Sequence, residues 1–282
     1  MNREDLIKKY ILKHEKGIEI SPWHNPIVPK RNGYNVQILD ILDTTELIEK
    51  FKADPNSIQK NVTNIEHVDF VESALSIDKA VEKINGLETY DYIISSHNFE
   101  HLPNPIKFLK ACAKVLKIGG HLSMAIPCKT HTFDYFRRLT TTTDFLEMFF
   151  ENQERPNPYQ IYDFISNFIN NNPNQLKNKI KFNNVDFSQD LKLSFEGLRD
   201  SFKSENTEYV DVHVSVFTPD SFNLIINELI TLELIPFKIK ELIPLPGFEF
   251  FVHLQKINSS DFSKYKLSSR DRINMYKKLY DN

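Results

Sequence analysis

The chain has 282 residues, of which 40% are hydrophobic and 26% are charged, so it is long enough for one large globular domain or two small ones. Its net charge of −3 argues against a general surface for nucleic acid or for anionic membranes. The two cysteines, Cys112 and Cys128, have neither metal-ligand spacing nor a disulfide framework, which suits a reducing cytoplasm. The N-terminus is charged throughout and unlike a signal peptide, and no apolar run approaches transmembrane length.

The first elements of the chain are a helix and two strands. Apolar residues at helical spacing within residues 3–15 predict an amphipathic helix. Short apolar runs predict a first strand at Gly17–Ile20 and a second at Val36–Asp40. The loop between them contains Pro22 and Pro26, which fix φ and remove backbone donors, so it continues neither a strand nor a regular helix.

Two carboxylates, Glu19 and Asp40, fall near the C-terminal ends of these strands. They are about twenty residues apart, a spacing at which an open α/β sheet places an acid for the ribose hydroxyls of a nucleotide-like ligand. The loop has no G-x-G-x-x-G pattern, so it is a poor cradle for pyrophosphate. The pattern therefore favours a ligand with a ribose but no phosphate, such as S-adenosylmethionine. The alternative is a plain strand–turn–strand with a solvated Asp40.

Two short helices and a third strand follow. A capping box at Asp43–Glu46 begins a helix that Asp54–Pro55 ends. His67–Val71 predicts the third strand. Residues 79–84 predict a second short helix, ended by Asn85–Gly86.

The clearest segment of the sequence predicts a βαβ unit. Tyr92–Ile94 is an apolar run typical of a central strand, and Ser95–His101 follows as a polar loop. Asn104–Pro105 is a cap with proline at the first helical position, and Gly119–Gly120 is expected to end that helix. His121–Ile126 predicts the next strand, so the unit is expected to be right-handed and parallel.

Residues 129–210 break this alternation of strands and helices. They are rich in Phe, Tyr, Asn and Thr, with helical stretches near 142–152 and 159–170 and no convincing strand pattern. An insertion at the C-terminal end of a strand is well placed to cover a site as a lid. A packing elaboration, or a surface for a second subunit, is the alternative.

The C-terminal part predicts a helix and a hairpin. A cap and a proline at Thr218–Pro219 begin the helix. Phe237–Ile243 and Phe248–Leu254 predict two strands whose short connection makes them antiparallel. The tail after Lys256 is charged and predicted to be helical at its end.

Five parallel strands followed by a helix and an antiparallel hairpin resemble the class I S-adenosylmethionine-dependent methyltransferase fold. Tyr90–Pro127 resembles the later half of such a domain, with its apolar strand, Glu-His pair and Gly-Gly turn. Gly17–Lys30 resembles a bacterial subgroup whose first loop carries asparagine and proline instead of a glycine-rich turn, and Phe133–Leu146 and Asp211–Phe222 resemble that subgroup too. The resemblance covers most of residues 15–256. It implies an α/β, Rossmann-like, seven-stranded sheet with a mainly helical insertion.

The resemblance also implies how the chain is divided. Residues 1–128 would form the N-terminal, cofactor-binding part of the methyltransferase core. Residues 129–210 would form the insertion or lid, and residues 211–256 the C-terminal part of the core. Residues 257–282 would be a charged tail.

The cofactor that the resemblance implies is S-adenosylmethionine, bound by the loops after the first four strands. The implied binding residues are Glu19, Ser21, Pro22, Asn25, Asp40, Asp69, Phe70, Ser96 and His97. Glu19 would face the methionine amino group, and Asp40 would accept hydrogen bonds from the ribose hydroxyls. Asp69 and Phe70 would lie at the adenine. Ser21 stands where the family usually has glycine.

The polar loop after the central strand holds the candidates for chemistry. Ser96 and His97 would lie beside the methionine part of the cofactor and the acceptor. A hydroxyl acceptor must lose its proton, and His97, Glu100 and His101 are the candidate catalytic residues. The alternative is that Glu100 and His101 only satisfy local backbone donors.

A metal version of this site is the less favoured interpretation. His97-x-x-Glu100-His101 resembles the Glu-x-x-Glu-His set that binds magnesium in some O-methyltransferases, but one Glu is replaced by His. Nitrogen ligands shift the preference towards transition metals. The sequence interpretation therefore assigns no metal ligands and keeps a bound divalent ion as the alternative. In that alternative, three histidines from other loops could join the ligand set: His24, His131 and His213.

The expected function is methyl transfer to a small molecule. Members of the resembled subgroup often occur among surface-polysaccharide genes, which implies O-methylation of a sugar or a sugar-linked precursor. Arg137 and Arg138 in the insertion could hold an acceptor phosphate or carboxylate, or could simply be solvated. The alternative function is a catalytically silent, methyltransferase-like binding subunit. Neither a nucleic-acid partner nor a membrane span is expected, and a homo-oligomer is compatible with the sequence.

Overall fold

The computed structural model describes residues 2–57, 60–170, 185–203, 209–245 and 247–280. The strands are β1 Gly17–Ile20, β2 Val36–Asp40, β3 Phe70–Val71, β4 Tyr90–Ser96, β5 Leu116–Pro127, β6 Ile169–Asn170, β7 Asp186–Phe187, β8 Phe237–Ile243 and β9 Glu249–Lys256. The α-helices are α1 Arg3–Ile7, α2 Thr44–Ala53, α3 Ile77–Glu82, α4 Pro105–Val115, α5 Thr142–Phe150, α6 Pro158–Asn167, α7 Leu191–Ser201, α8 Pro219–Thr231 and α9 Ser269–Tyr280.

A seven-stranded sheet forms the centre of the fold, with strand order β3-β2-β1-β4-β5-β9-β8. The pairs from β3 to β5 are all parallel. Strand β9 runs antiparallel to both β5 and β8. The expected α/β, Rossmann-like sheet with a C-terminal antiparallel hairpin is therefore confirmed. Strands β6 and β7 form a separate two-stranded pair.

Helices pack on both faces of this sheet and bury two apolar clusters. Side chains along β4 point alternately to the two faces of the sheet, so this strand contributes residues to both clusters. Tyr90 and Ile93 belong to the cluster beneath α3, α4 and α8, whereas Tyr92 and Ile94 belong to the cluster beneath α1 and α2. Because both of its faces are buried, β4 reads in the sequence as a continuous apolar run.

The helix starts follow local capping signals. The predicted capping box at Asp43–Glu46 is present at α2, and Thr218 forms another with Ser221 at α8. Asn104 caps α4 through its side-chain oxygen, which accepts from the N–H of Lys107 at 3.1 Å. Each of these side chains satisfies a backbone donor that the helix itself leaves unpaired.

Two predicted elements are shorter than the sequence suggested. Helix α1 ends at Ile7 instead of running through residues 3–15, because the chain turns at residues 8–11 and buries Ile11 from that turn. Strand β3 comprises Phe70–Val71 only, instead of His67–Val71. The Asp69 carboxylate accepts the N–H of Ile38 at 2.7 Å and so takes the place of a ladder partner.

The expected helix end at Gly119–Gly120 is wrong, because both glycines lie inside β5 and α4 ends at Val115. The pairing of β5 with β4 passes from Leu116–Tyr90 to His121–Tyr92, so the chain bulges between them. Gly119 has a φ of +85°, and a Cβ on Gly120 would lie 3.0 Å from the carbonyl oxygen of Asp91. The bulge therefore favours glycine at both positions, at Gly119 because of its left-handed φ and at Gly120 because of the close backbone oxygen.

Within residues 129–210 the structure has helices α5, α6 and α7, together with the short strands β6 and β7 that the sequence did not predict. The predicted stretch at 159–170 is helical to Asn167 and then enters β6. Among the described residues, no helix is both long enough and apolar enough to cross a lipid bilayer.

Candidate functional site

A cavity of about 520 Å³ opens at the carboxyl ends of β1, β2 and β4. The strand order reverses between β1 and β4, and this is where open α/β sheets bind their ligands. The volume lies within the range of roughly 300–1,000 Å³ that small-molecule sites have. The polar lining residues include Ser21, Asp40, Ser73, His97, His101 and Asp211.

Glu19 holds the loop that forms one wall of this cavity. Its two carboxylate oxygens accept the N–H groups of Ile27 at 2.7 Å and Val28 at 3.1 Å. The side chain is 2% exposed. Burial raises the pKa of Glu19 to about 7, although the two backbone hydrogen bonds act in the opposite direction. The described contacts of Glu19 are thus with its own loop, and Glu19 lies outside the cavity lining.

Asp40 and Ser21 lie side by side in the cavity wall. Asp40 ends β2 and accepts the N–H of Leu42 at 3.1 Å. Burial raises the pKa of Asp40, and hydrogen bonds from the Leu42 N–H and the Ser21 hydroxyl partly offset this. Ser21 has a φ of +47°, in the left-handed region that favours glycine. Its N–H donates to the carbonyl of Leu39 at 2.8 Å, which continues the backbone pairing beyond the end of β1.

The lining fits a nucleoside-bearing cofactor. The Asp40 carboxylate is an acceptor at the position where a ribose diol needs one. Apolar side chains from three segments, among them Leu47, Leu75 and Leu102, form the surface on which a flat base can pack. These residues would hold S-adenosylmethionine, and the sulfonium of that group would supply the reactive methyl.

The residues predicted at the adenine lie elsewhere in the described structure. Asp69 pairs with Lys30 at 2.5 Å, and Phe70 is buried in the core. The cavity is instead lined by the turn three to five residues further on, at Ser73–Leu75. Ser73 accepts the N–H of Leu75 and caps that turn. A serine cap directly after a strand is a sequence signal that could have located this segment.

Two further predicted cofactor residues, Pro22 and Asn25, close a turn of the first loop. The carbonyl of Pro22 accepts the N–H of Asn25 at 3.0 Å. Ser96 lies at the end of β4, where its hydroxyl accepts from the guanidinium of Arg3 at 2.8 Å. These three residues support the cavity and lie outside its lining as described.

His97 joins the cavity to the C-terminal hairpin. Its Nε2 lies 3.0 Å from Glu249, which also accepts from Arg3 at 2.8 Å. Burial opposes protonation of His97, but the nearby carboxylates of Glu100 and Glu249 outweigh it and raise the pKa of His97 to about 9. The imidazole is therefore protonated at neutral pH. His97 has a φ of +49°, in the left-handed region, and its side chain lines the cavity.

Glu100 is fully buried behind His97 and is surrounded by three imidazoles. Its Oε1 lies 3.5 Å from Nδ1 of His97, and 3.9 Å from Nε2 of both His101 and His213. Within the described part of the chain, neither carboxylate oxygen of Glu100 has a hydrogen-bond partner. A buried carboxylate without hydrogen bonds is costly, so its surroundings must compensate the charge.

The outer nitrogens of two of these imidazoles contact carboxylates. Nδ1 of His101 lies 2.8 Å from Asp211, and Nδ1 of His213 lies 2.6 Å from Asp134. The two rings pack edge to face, with centroids 4.7 Å apart. Asp211 was missed as a site residue, although its spacing carried a signal. In an extended segment, residues two apart share one face, so Asp211 and His213 point the same way.

The two arginines of the insertion are already paired. Arg137 is 2% exposed and contacts Asp134 and Asp163, both at 2.8 Å. Arg138 donates to both oxygens of Asp144, at 3.0 and 2.6 Å. Both line a second cavity of about 220 Å³ between α5 and α6. Their contacts organise the insertion, and the structure places neither in the lining of the larger cavity.

The other two histidines considered from the sequence lie outside this cluster. His24 packs its ring against Trp23 and Phe51, with centroids 4.7 and 5.4 Å apart. His131 contacts the hydroxyl of Thr130 at 2.8 Å.

Residues 8–164 match a family model described as a methyltransferase domain. This match covers more than half of the chain. The chain belongs to this methyltransferase-domain family. The strand order of its sheet and the cavity at the switch point agree with that membership.

Similarity to individual proteins is more limited. A stretch of 35 residues is 43% identical to the ubiquinone biosynthesis O-methyltransferases of two Aliivibrio fischeri strains. That stretch covers 12% of this chain and 15% of each relative, so the chain matches well under two thirds of their length. A SAM-dependent methyltransferase structure from Aquifex aeolicus is 14% identical with a TM-score of 0.43, over 90% of this chain and 89% of that one. One from Methanosarcina mazei is 18% identical with a TM-score of 0.41, over 89% and 96%.

Proposed function

We propose that this chain is an S-adenosylmethionine-dependent methyltransferase that methylates a hydroxyl of a small acceptor, namely a sugar or a sugar-linked precursor of a surface polysaccharide. One observation carries the proposal. A single cavity at the switch point of the sheet is lined both by Asp40, the candidate ribose acceptor, and by His97 and His101 from the loop after β4. Cofactor and acceptor groups thus border the same space.

The division of roles follows from the lining. Asp40 accepts hydrogen bonds from the ribose hydroxyls, and the leucines of the wall pack the base. Methyl transfer is an in-line displacement, so the main work of the chain is to position the acceptor and to exclude water. His97, Glu100 and His101 are the groups proposed to act on the acceptor hydroxyl. His97 and His101 line the cavity and orient the hydroxyl. His101, with Glu100 behind it, receives the proton, because His97 is already protonated.

Two observations support a hydroxyl-bearing acceptor. The cavity rim carries polar side chains able to hydrogen-bond several hydroxyl groups, among them Lys50, Asn98, Glu154 and Asp211. The curated relatives with the 35-residue match are O-methyltransferases by name. The sugar itself is the part of the proposal that rests on the resemblance to the polysaccharide-associated subgroup.

Calorimetry with S-adenosylmethionine and S-adenosylhomocysteine tests the cofactor. We expect binding of one molecule per chain, and we expect Asp40→Asn to weaken it by about 1–3 kcal/mol because the ribose loses a charged acceptor. Asp91→Asn is the matched control, since Asp91 pairs with Lys117 at the start of β4, at the opposite end of the sheet. Equal affinity in wild type and Asp40→Asn, with both folded by circular dichroism, would contradict the assignment.

The acceptor is then sought by mass spectrometry in a screen of nucleotide sugars, with catechols and other phenols as the competing class. A product heavier by one methylene on a sugar supports the proposal, and methylation of phenols alone contradicts its acceptor.

A catalytically silent binding subunit is the second candidate. Ser21 is the observation that favours it, because a side chain in the left-handed region stands at the cofactor loop and its hydroxyl bonds Asp40. The same calorimetry separates the two candidates: a folded wild-type chain that binds neither cofactor form would favour the silent subunit.

A further inference from the structure

We propose that Glu100, His101 and His213 form a binding site for one divalent transition-metal ion. One ligand atom from each residue lies within 4.8 Å of the other two. The residues come from two separate segments, the loop after β4 and the segment before α8. Backbone hydrogen bonds hold these segments together, because the carbonyl of Glu100 accepts the N–H groups of Val214 at 2.7 Å and Ser215 at 3.0 Å.

The buried Glu100 carboxylate is the first reason. It is fully buried, and both of its oxygens are without a hydrogen-bond partner among the described residues. Glu19 shows the ordinary arrangement of a buried carboxylate, because both of its oxygens accept backbone N–H groups. His97 approaches one of the Glu100 oxygens to 3.5 Å from the side of the cavity. A cation held between Glu100 and the imidazoles of His101 and His213 would bind the carboxylate from the other side.

The orientation of the imidazoles is the second reason. Nδ1 of His213 is hydrogen-bonded to Asp134 at 2.6 Å. Nδ1 of His101 lies 2.8 Å from Asp211 in a charge contact outside hydrogen-bond geometry. Nε2 of each ring therefore lies on the side of Glu100. Metal-ligating histidines are commonly oriented in this way, with one nitrogen on the ion and the other on a carboxylate. Arg137 in turn pairs with Asp134, which fixes that carboxylate.

Two of the three distances between ligand atoms are compatible with an ion, and the third, between His101 and His213, is within 4.8 Å. Two ligands that are each about 2.1 Å from an ion lie roughly 3–4.2 Å apart, depending on the angle between them. Both Nε2 atoms lie 3.9 Å from the same oxygen of Glu100, within that range. His97 has its Nδ1 3.5 Å from this oxygen, on the side of the large cavity.

Three protein ligands leave a position open for another ligand, as in catalytic rather than structural metal sites. His101 lines the large cavity, so this position is directed towards the space proposed for the acceptor. An ion there would bind the acceptor oxygen and lower the pKa of its hydroxyl. This role rests on the proposed methyl transfer, whereas the binding of the ion does not. Two imidazoles and one carboxylate favour Zn²⁺, Fe²⁺ or Co²⁺ over Mg²⁺.

The test is metal binding by the full chain without any cofactor or acceptor. The purified protein is stripped with a chelator and titrated with Zn²⁺ by calorimetry, and Co²⁺ is added separately to record its visible absorption. We expect one ion per chain, with absorption bands typical of four- or five-coordinate Co²⁺. No stoichiometric binding of either ion to the folded wild-type chain would overturn the proposal.

Variants locate the ion. Glu100→Gln keeps the size of the side chain, and His213→Ala removes one ligand; each should weaken Zn²⁺ binding by at least a hundredfold. Asp211→Asn, at a largely exposed carboxylate, should weaken it about tenfold through the orientation of His101. His14→Ala is the control, because His14 is exposed before β1 at the other end of the sheet. Wild-type affinity in both Glu100→Gln and His213→Ala would overturn the assignment.

The two proposals fail separately. Stoichiometric Zn²⁺ binding that Glu100→Gln abolishes supports the metal site even if S-adenosylmethionine does not bind, and that second result counts against the methyltransferase alone. Cofactor binding by a chain that takes up neither Zn²⁺ nor Co²⁺ supports the methyltransferase and overturns the metal site.

Discussion

Glu19 uses both carboxylate oxygens to hold its own loop, at a position where the sequence pattern suggested a ligand contact. The loop N–H groups of residues 27 and 28 would otherwise be unpaired, because Pro22 and Pro26 prevent regular structure there. The same burial that makes the contact rigid also penalises the charge, and it raises the pKa of Glu19 to about 7. The protonation state of Glu19 therefore changes with pH in the range where it holds the loop between β1 and β2.

This dependence on pH gives a prediction for stability. The folded pKa of Glu19 is about 7 and the unfolded value about 4.3, so between these values the native state binds more protons than the unfolded state. The contribution of Glu19 to the free energy of unfolding should therefore decrease as pH rises from about 4.5 to 7.5, by up to about 3 kcal/mol at 1.36 kcal/mol per unit. Urea unfolding of wild type and Glu19→Gln across this range measures the difference.

Glu88→Gln provides a control whose difference from wild type should stay nearly constant from pH 4.5 to 7.5. Its hydrogen bond to Lys256 lowers the pKa of Glu88, so its contribution to stability is present above the unfolded pKa and is lost as pH falls. If the wild-type and Glu19→Gln curves remain parallel from pH 4.5 to 7.5, the buried-carboxylate explanation of the loop is wrong.

At the scale of elements, local signals predicted the helix starts and non-local contacts decided the strand limits. Caps such as Asp43 and Asn104 act within three residues, so the sequence alone reveals them. Strand β3 begins only at Phe70 because the side chain of Asp69, instead of a backbone carbonyl, accepts the N–H of Ile38 on β2. The bulge at Gly119 depends on the register between two strands that are separated by a helix. Neither contact leaves a periodic pattern in the sequence.

Asn104 gives the prediction at this scale. It is fully buried, caps α4 through its oxygen, and donates from its side-chain nitrogen to the carbonyl of Met148 in α5 at 3.1 Å. Asn104→Ala should therefore lose a cap and a hydrogen bond between helices, about 2–3 kcal/mol in the free energy of unfolding. Asn157→Ala is the matched variant, because Asn157 is a partly exposed cap of α6. It should cost about 1 kcal/mol. Equal losses in the two variants would show that the Met148 contact contributes nothing.

The candidate site shows the same division between local and non-local information. Asp40, His97 and His101 were predictable because each stands at or just after the C-terminal end of a strand, where parallel strands gather their loops at one edge. The cluster around Glu100 was only partly predictable. It needs His213, which is more than a hundred residues away in the sequence and reaches Glu100 through a backbone contact between two irregular segments.

At the scale of the whole molecule, the first helix and the C-terminal hairpin meet beside the cavity. Arg3 in α1 donates to both carboxylate oxygens of Glu249 at the start of β9, at 2.8 and 3.0 Å. Glu249 contacts His97, and Arg3 also donates to Ser96. The first helix, the C-terminal hairpin and the loop after β4 are therefore joined by one network of charged hydrogen bonds. The last strand pair of the sheet thereby supports a site formed mainly by the first four strands.

Arg3 is therefore expected to contribute more to the free energy of unfolding than residues near an N-terminus usually do. Arg3→Ala should lower the free energy of unfolding by about 1–3 kcal/mol, because Glu249 is 6% exposed and keeps only part of its compensation. Lys8→Ala is the comparison: Lys8 pairs with Glu4 within the same segment at 3.1 Å, an i,i+4 contact with a more exposed carboxylate. Such pairs contribute about 0.3–0.5 kcal/mol. Urea unfolding of both variants at pH 7 separates the two contacts. A loss at Arg3 no larger than the loss at Lys8 would mean that the network does not couple the first helix to the C-terminal hairpin energetically.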